Sequence, residues 1–360
     1  MKTPLKVILT AAMLSMGALS AAIADDAFKI GFIVPNPIGD VGWDHELDRG
    51  RQAVAEHFGD KVSIQAIDSV GEGPDSTRVM NKMASQGVDM IFLGSFGHMN
   101  DGLKLAKQYP DLAVVHAGGY QQADNFATYA VRHYEGAYLA GMAAGYATKS
   151  NTLGVIAAFP LPEVVGIMNA YVLGAQSVNP NLNDVKVIWM NSWFDPAKNK
   201  ASAESLVSQG ADVVFSLFPG TPSAVAASEE LGVYTTVTLS DNSAFAPTRH
   251  LAAIQVDFGP IMIAKVQEAM DGKFVGNDTF AGIGENSVSV AGLSKDLSEE
   301  QKSAILAKQD EIRSGGFHPF QGPITDNKGK EAVAAGSKLD DGAVKGMNFL
   351  VQGIDTSLPN

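Results

Sequence analysis

A tryptophan between two aspartates lies near the start of the chain, in the segment GDVGWDHELDRGR at 39–51. Asp40, Trp43 and Asp44 follow an apolar run, KIGFIV, and precede a stretch that continues as a helix. In open α/β sheets, ligands bind outside the carboxyl ends of the strands, where such a loop lies. An indole there could stack on a flat ligand, and the carboxylates could accept hydrogen bonds from the ligand's edge. Trp43 could equally cap the helix, and Asp48 is expected to be structural because a helix N-terminus favours carboxylates.

Other aromatic residues follow the ends of further predicted strands. They are Phe96 in the first half of the chain and, in the second half, Phe159, Trp193 and Phe218. One such residue usually packs in the core, but several at the carboxyl edges of two sheets indicate a sandwich for a planar ligand. Polar side chains at the same edges could hydrogen-bond the ligand: Asp40, Asp44, His116, Asn191, Asp241 and Asn242.

Signals for catalysis and for metal binding are weak. The sequence has no Gly-x-Ser-x-Gly elbow and no phosphate-binding Gly-rich loop with Lys. Its seven His are scattered, and the pairs nearest to metal spacing are His45 with Glu46 and His133 with Glu135. Paired carboxylates for glycoside hydrolysis stay open, but nothing selects a pair. We therefore predict no catalytic residue, no metal site and no cofactor.

The charge balance is strongly acidic, with 39 Asp and Glu against 26 Lys and Arg and a net charge of −13. Nucleic-acid affinity rests on Lys and Arg that neutralise phosphates, so no nucleic-acid partner is predicted. The absence of a Lys/Arg cluster also makes an anionic ligand a poor fit. The chain contains no Cys, which excludes disulfides, Cys-ligated zinc and thiol catalysis.

The first 24 residues resemble a secretory signal peptide. Lys2 and Lys6 precede an apolar run that ends in Ala22-Ile23-Ala24, a small-x-small cleavage site. Cleavage after Ala24 would remove two positive charges and lower the net charge from −13 to −15. We expect a periplasmic protein, assuming a bacterial source. No direct membrane anchor is predicted, because no Cys is available for lipid attachment and no later stretch is apolar for the length of a spanning helix.

Short apolar segments alternate with helical patterns and then begin again, which predicts an α/β protein with parallel sheets flanked by helices. The two halves echo each other, with SQGVDMIFLGSFG at 85–97 and SQGADVVFSLFPG at 208–220. We predict lobe one over 25–130 and about 248–280, and lobe two over 131–247 and about 281–315. Residues 316–360 would form a C-terminal extension that packs on the lobes. Two similar lobes indicate a clamp, although an enzyme with a repeated fold would show the same pattern.

Several motifs resemble the basic membrane protein family of periplasmic binding proteins, specifically the purine-binding group that serves ABC transporters. The resemblance runs from residue 29 to about 359 and rests on the 39–51 segment, HAGGY at 116–120, YEGAYLAG at 134–141, PEVVGIMNAYVLGAQSVNP, NSWFDPAKNKASAESLVSQGADVV and HPFQGPI. It implies the type I periplasmic-binding-protein fold, a monomer, a small-molecule ligand and an ABC transporter permease as partner.

The resemblance also implies site residues. In nucleoside-binding members two aromatics sandwich the base, and they match Trp43 and Trp193. The acidic positions match Asp40, Asp44 and Asp241, and a glycine of the family's GGTG-type loop matches Gly220. Two positions that bear on the ribose depart from the family: His116 replaces an Asp and Val256 replaces a Lys.

These departures favour a free purine base, adenine-like, over a nucleoside. We therefore expect a solute-binding protein of an ABC importer rather than an enzyme. Three alternatives stay open: a nucleoside binder of the same family, a protein that presents the same clamp to a membrane receptor, and a periplasmic nucleoside hydrolase.

Overall fold

The computed structural model describes residues 27–218 and 220–358. The predicted signal peptide and its cleavage site lie outside these residues. Within them, no helix combines the length and the apolar character that crossing a membrane requires.

Strands and helices alternate along most of the chain. The strands are β1 (Phe28–Ile33), β2 (Val62–Ile67), β3 (Met90–Leu93), β4 (Ala113–Ala117), β5 (Phe126–Val131), β6 (Thr152–Ala157), β7 (Asp184–Trp189), β8 (Val213–Ser216), β9 (Tyr234–Leu239), β10 (His250–Val256), β11 (Asp278–Ala281), β12 (Val288–Ala291), β13 (Ile324–Thr325) and β14 (Glu331–Val333). The helices are α1 (Trp43–Phe58), α2 (Pro74–Ser85), α3 (Met99–Gln108), α4 (His133–Ala147), α5 (Pro162–Val178), α6 (Pro196–Ser208), α7 (Ser223–Leu231), α8 (Gly259–Met270), α9 (Glu299–Arg313) and α10 (Asp341–Lys345).

Twelve of these strands form one six-stranded sheet in each lobe, and β13 pairs with β14 in a separate two-stranded antiparallel sheet. Lobe one has the order β11-β5-β4-β3-β1-β2 and is parallel throughout. Lobe two has the order β12-β10-β9-β8-β6-β7 and is parallel except for β12. The strand order in both lobes reverses beside the first strand, which places loops from both sheets at the edge where ligands bind. The structure confirms the predicted α/β architecture of two lobes.

Three connections join the lobes, and one of them lies later in the chain than the sequence predicts. They run from β5 to α4, from β10 to α8 and from β11 to β12. The predicted return to lobe one at about 248 is wrong, because β10 pairs with β9 and β12 in the second sheet. The chain returns only after Val256, when α8 packs on α1.

Helices α4 and α5 pack face to face in lobe two. A Cβ on Gly141 would lie 2.0 Å from the carbonyl oxygen of Tyr171, and a Cβ on Gly174 would lie 2.0 Å from that of Tyr138. Only glycine permits this approach, since real contacts of a Cβ are never so short. The glycines in YEGAYLAG and AYVLGAQ thus bring the N-termini of the two helices together beside the cleft.

The C-terminal segment packs mainly on lobe two. Its helix α10 contacts α5, and the side chain of Asn169 bonds the backbone of Phe349 and Val351 at 2.7 and 3.0 Å. It also reaches lobe one, where Lys345 pairs with Asp278 of β11. The C-terminal segment therefore contacts both lobes.

Candidate ligand-binding site

A cavity of about 570 Å³ lies between the lobes, at the carboxyl ends of the strands. It brings together the following predicted site residues: Trp43, Asp44, Phe96, Trp193, Phe218 and Gly220. Its walls come from both lobes and from the C-terminal helix.

Trp43 is the first residue of α1, and its indole is fixed by the protein. Its Nε1–H donates to the carbonyl of Gly94, with 2.6 Å between the heavy atoms. Its ring meets Phe258 and Phe218 edge to face, with centroids 5.4 and 6.1 Å apart. Because the N–H is already paired, Trp43 can offer a ligand only its apolar ring surface.

Asp44 is held by Asn36, which lies in the loop that follows β1. Its two oxygens accept hydrogen bonds from the Asn36 backbone N–H at 3.1 Å and the Asn36 side-chain amide at 3.0 Å. Burial raises the pKa of Asp44, against the lowering effect of these two bonds. A carboxylate has about four acceptor positions, so Asp44 keeps capacity for a donor in the cavity.

The aromatic wall of lobe two centres on Phe218. Its ring lies 6.3 Å from that of Trp193 and also contacts Trp43, so it links the tryptophans of the two lobes. Its backbone N–H donates to Thr238 Oγ1 at 2.7 Å, and its φ of 52° lies in the left-handed region. Phe159 is outside the cavity lining and packs behind Trp193, with ring centroids 5.0 Å apart.

Phe96 and Gly220 both line the cavity, but they shape it in different ways. Phe96 is 39% exposed at the cavity mouth, where its ring lies 6.1 Å from that of Tyr120. A Cβ on Gly220 would lie 2.5 Å from the carbonyl oxygen of Trp193. The glycine therefore lets the loop after β8 pack tightly against the loop that carries Trp193.

Besides Phe159, the predicted polar contacts outside the cavity lining are Asp40, His116, Asn191, Asp241 and Asn242. Asp40 is exposed in the loop before α1. Asp241 accepts the backbone N–H of Ser243 at 2.8 Å and lies 3.4 Å from His250. His116 is fully buried beneath the site.

His116 supports the loop after β3 from below. Its Nε2 lies 2.8 Å from the carbonyl oxygen of Ser95, next to Phe96. Burial lowers the pKa of His116 to about 4. A neutral imidazole therefore holds the position at which the family resemblance implies a carboxylate.

Sequence reasoning missed several cavity residues. They are Tyr120, His133, Tyr134, Glu163, Phe280 and Lys345. His133 and Glu163 begin helices that follow strands of the sheets, which is the signal that could have identified them. His133 lies beside Glu163 rather than Glu135, whose carboxylate accepts the backbone N–H of Ile283 at 2.7 Å. Among the residues that the structure describes, no three His, Asp or Glu side chains cluster as a metal site requires.

Two lobes of parallel sheet around a cleft form the type I periplasmic-binding-protein fold, and the comparisons with known proteins identify the family. The model of the Bmp family, described as PnrA-like substrate-binding proteins of ABC transporters, matches residues 27–317. The chain belongs to this family, whose members are extracytoplasmic proteins that bind small-molecule ligands.

Two curated relatives cover most of the chain. A purine-binding protein of Brucella abortus is 38% identical over 353 residues, which is 98% of this chain and 99% of the relative. A protein of Haloferax volcanii, named provisionally as an ABC transporter glucose-binding protein, is 31% identical over 335 residues, which is 93% of this chain and 82% of the relative. Among solved structures, an ABC transporter solute-binding protein from Aeropyrum pernix has a TM-score of 0.67 at 18% identity, with 83% of this chain and 93% of that chain covered. At that identity it supports the fold alone.

Proposed function

We propose that this protein captures a purine base, adenine-like, between its two lobes and delivers it to the permease of an ABC importer. The observation that carries the proposal is the cavity wall, in which Trp43, Phe218 and Trp193 surround the space that the Asp44 carboxylate borders. Aromatic faces suit a flat ring, and a carboxylate accepts hydrogen bonds from N–H groups at its edge. The purine-binding name of the Brucella relative supports the same ligand class.

A neutral base fits the charges of the cavity better than a nucleotide does. Lys345 is the one Lys or Arg among the cavity residues that the structure describes, and its ammonium is paired with Asp278. Phosphate recognition normally uses Arg or Lys, and the helix N-termini of α1 and α5 at the cavity already carry the carboxylates of Asp44 and Glu163, which would repel a phosphate. Replacement of the ribose-binding positions by His116 and Val256, both buried, also favours a base without its sugar.

Delivery would use closure of the lobes around the ligand. Three chain connections between two rigid sheets are the arrangement in which hinge motion of a few residues moves whole lobes. The closed monomer would then present one continuous surface to the permease. This part of the proposal includes cleavage after Ala24 and release into the periplasm.

A purine nucleoside is the second candidate for the same site. A volume of about 570 Å³ lies within the range of pockets that bury ligands larger than a single bicyclic ring. The sugar would then occupy space that a free base leaves to water.

A thermal-shift screen with adenine, adenosine, hypoxanthine and glucose tests the proposal. A ligand at a hundred times its dissociation constant stabilises the native state by about 2.7 kcal/mol. We expect adenine to raise the unfolding temperature and adenosine to raise it less. A shift with glucose and none with any purine would contradict the proposal and favour the ligand class named for the Haloferax relative.

A further inference from the structure

His133 and Glu163 form a polar pair in the lobe-two wall of the cavity. His133 is the first residue of α4 and Glu163 the second residue of α5, and both line the cavity. His133 Nδ1 lies 3.2 Å from Glu163 Oε1, and the two side chains are 1% and 40% exposed. The carboxylate is thus the accessible member of the pair, and the imidazole lies behind it.

The imidazole of His133 is fixed but lacks hydrogen-bond partners. The Phe218 ring meets it edge to face at 5.0 Å and 89°. Neither ring nitrogen makes a hydrogen bond of good geometry with the residues that the structure describes. Buried polar atoms nearly always have partners, so an unsatisfied group beside a cavity indicates a bond completed by a ligand or by a ligand-positioned side chain. Glu163, already within reach of Nδ1, is that side chain.

The charged groups of the cavity have an excess of acceptors. Asp44 comes from lobe one and Glu163 from lobe two, whereas the ammonium of Lys345 is paired with Asp278 and lies 4.4 Å from the ring centroid of Phe280. Two hydrogen-bond donors of lobe one are already used within the protein. The indole N–H of Trp43 donates to the carbonyl of Gly94, and the side-chain amide of Asn36 donates to Asp44. Among the described residues, neither Asp44 nor Glu163 forms an ion pair with Lys or Arg, and closure would bury both carboxylates, so the ligand should supply N–H groups to them.

We infer that Glu163, positioned by His133, is the lobe-two acceptor for the ligand and that the site selects a planar heterocycle with N–H donors at two edges. One donor edge bonds Asp44 and the other bonds Glu163. The inference rests on the proposed function and names its ligand class more closely: adenine carries an exocyclic amine and a ring N–H, and a nucleoside has lost that ring N–H to its sugar. A ligand that bonds both carboxylates also ties the two lobes together, so its donor pattern is coupled to closure.

Calorimetric titration of the mature chain with adenine tests this inference through Glu163→Ala. The matched control is Glu204→Ala, which removes an exposed carboxylate from α6 of the same lobe. A hydrogen bond to a charged group contributes enough that we expect affinity to fall about tenfold or more in Glu163→Ala and to change less than about twofold in the control. Circular dichroism and thermal unfolding without ligand confirm that both variants are folded.

Two ligand analogues show which contact is lost. One is adenine methylated at the ring nitrogen that carries the sugar in adenosine, and the other is adenine with a dimethylated exocyclic amine. Both should bind the wild type more weakly than adenine does. One of the two analogues lacks the N–H group that donates to Glu163. For that analogue, the Glu163→Ala substitution should cause little further loss of affinity.

A double-mutant cycle tests the positioning role of His133. If His133 acts through Glu163, His133→Gln weakens adenine binding in the wild type and has almost no effect in Glu163→Ala. A purely structural histidine would cause the same loss in both backgrounds, which would overturn its assigned role. If wild type binds adenine and Glu163→Ala binds it as tightly as Glu204→Ala does, the inference is wrong and the proposed function stands. If wild type binds no purine base, the proposed function and the inference both fail.

Discussion

Each lobe supplies one tryptophan to the cavity, and the two are held in different ways. Trp43 begins a helix, donates its N–H to Gly94 and packs against Phe258 of the second connection between the lobes. Trp193 lies in the loop between β7 and α6, where its ring contacts those of Phe159 and Phe218. Trp43 is therefore part of the framework of lobe one, whereas Trp193 belongs to a loop that lines the cavity.

The same contrast holds for the backbone. Lobe two has non-glycine residues with positive φ at or just after the ends of three strands, namely Asn191 at 51°, Phe218 at 52° and Leu239 at 82°, whereas lobe one has Ser69 at 57° after β2. Such conformations cost about 1–3 kcal/mol each and cluster at binding sites. In lobe one, Asp44 is instead fixed by two bonds from Asn36. Among the cavity residues, Trp43 and Asp44 of lobe one are fixed by hydrogen bonds, while lobe two contains the strained backbone of Phe218 and the unsatisfied imidazole of His133.

Trp43→Ala should have the largest effect. Loss of a packed indole with a hydrogen bond should lower the free energy of unfolding by about 3 kcal/mol and weaken purine binding by about 1–3 kcal/mol. Denaturant unfolding and calorimetry measure the two effects, and Trp43→Phe, which keeps a ring, should recover part of both. Unchanged stability in Trp43→Ala would break the assignment of this residue to the framework.

Glu135→Gln should change the pH dependence of stability. Burial raises the pKa of Glu135 from 4.5 to about 7, so the neutral carboxyl contributes stability that is fully present below pH 4.5 and is lost as pH rises through about 7. Above pH 7 the variant should be more stable than wild type by roughly 3 kcal/mol, and at about pH 4 the two should be equal. Chemical unfolding at both pH values checks this, with exposed Glu56→Gln as control. A constant difference between wild type and Glu135→Gln at all pH values would refute it.

Trp193→Ala sharpens the contrast with Trp43. We expect purine binding to weaken by about 1–3 kcal/mol, as for other stacked bases, while the free energy of unfolding falls by less than about 1 kcal/mol. Full affinity in this variant would remove Trp193 from the sandwich.

Ser240→Ala should have the smallest effect. Ser240 follows β9 of lobe two, accepts the Gly42 N–H at 3.0 Å and donates to Glu46 at 2.6 Å, so it ties the lobes together. Its loss should favour the open state and weaken ligand binding by about 1 kcal/mol. Small-angle scattering should show a larger ligand-free radius of gyration, and exposed Ser243→Ala should leave it unchanged.

Much of the fold could be predicted from the sequence, because alternating apolar strands and capped helices are local signals. The repeated segment that ends at Phe96 in one lobe and Phe218 in the other revealed the two sheets. The sequence pattern does not predict helix α4, because this helix is buried almost all round and shows no polar face. The lobe to which β10 belongs depends on pairing with β9, a contact that local pattern does not encode.

The site was predictable only in part. Aromatic residues after strands identified Trp43, Trp193, Phe96 and Phe218, since the end of a strand fixes where its loop begins. Whether the other predicted residues line the cavity depends on the path of each loop, which the sequence pattern does not predict. His116 is buried beneath the sheet edge, whereas Asp40 and Asp241 are exposed at the surface. His133 and Glu163 reach the cavity through the close packing of α4 on α5, which depends on glycines in both helices.

Calorimetric titration of the wild-type mature chain with adenine tests the central claim most directly. The account expects one saturable site with a negative heat-capacity change, because ring surface is buried between Trp43, Phe218 and Trp193. It also expects adenosine to bind more weakly. Saturable binding of glucose without binding of any purine base would contradict the account.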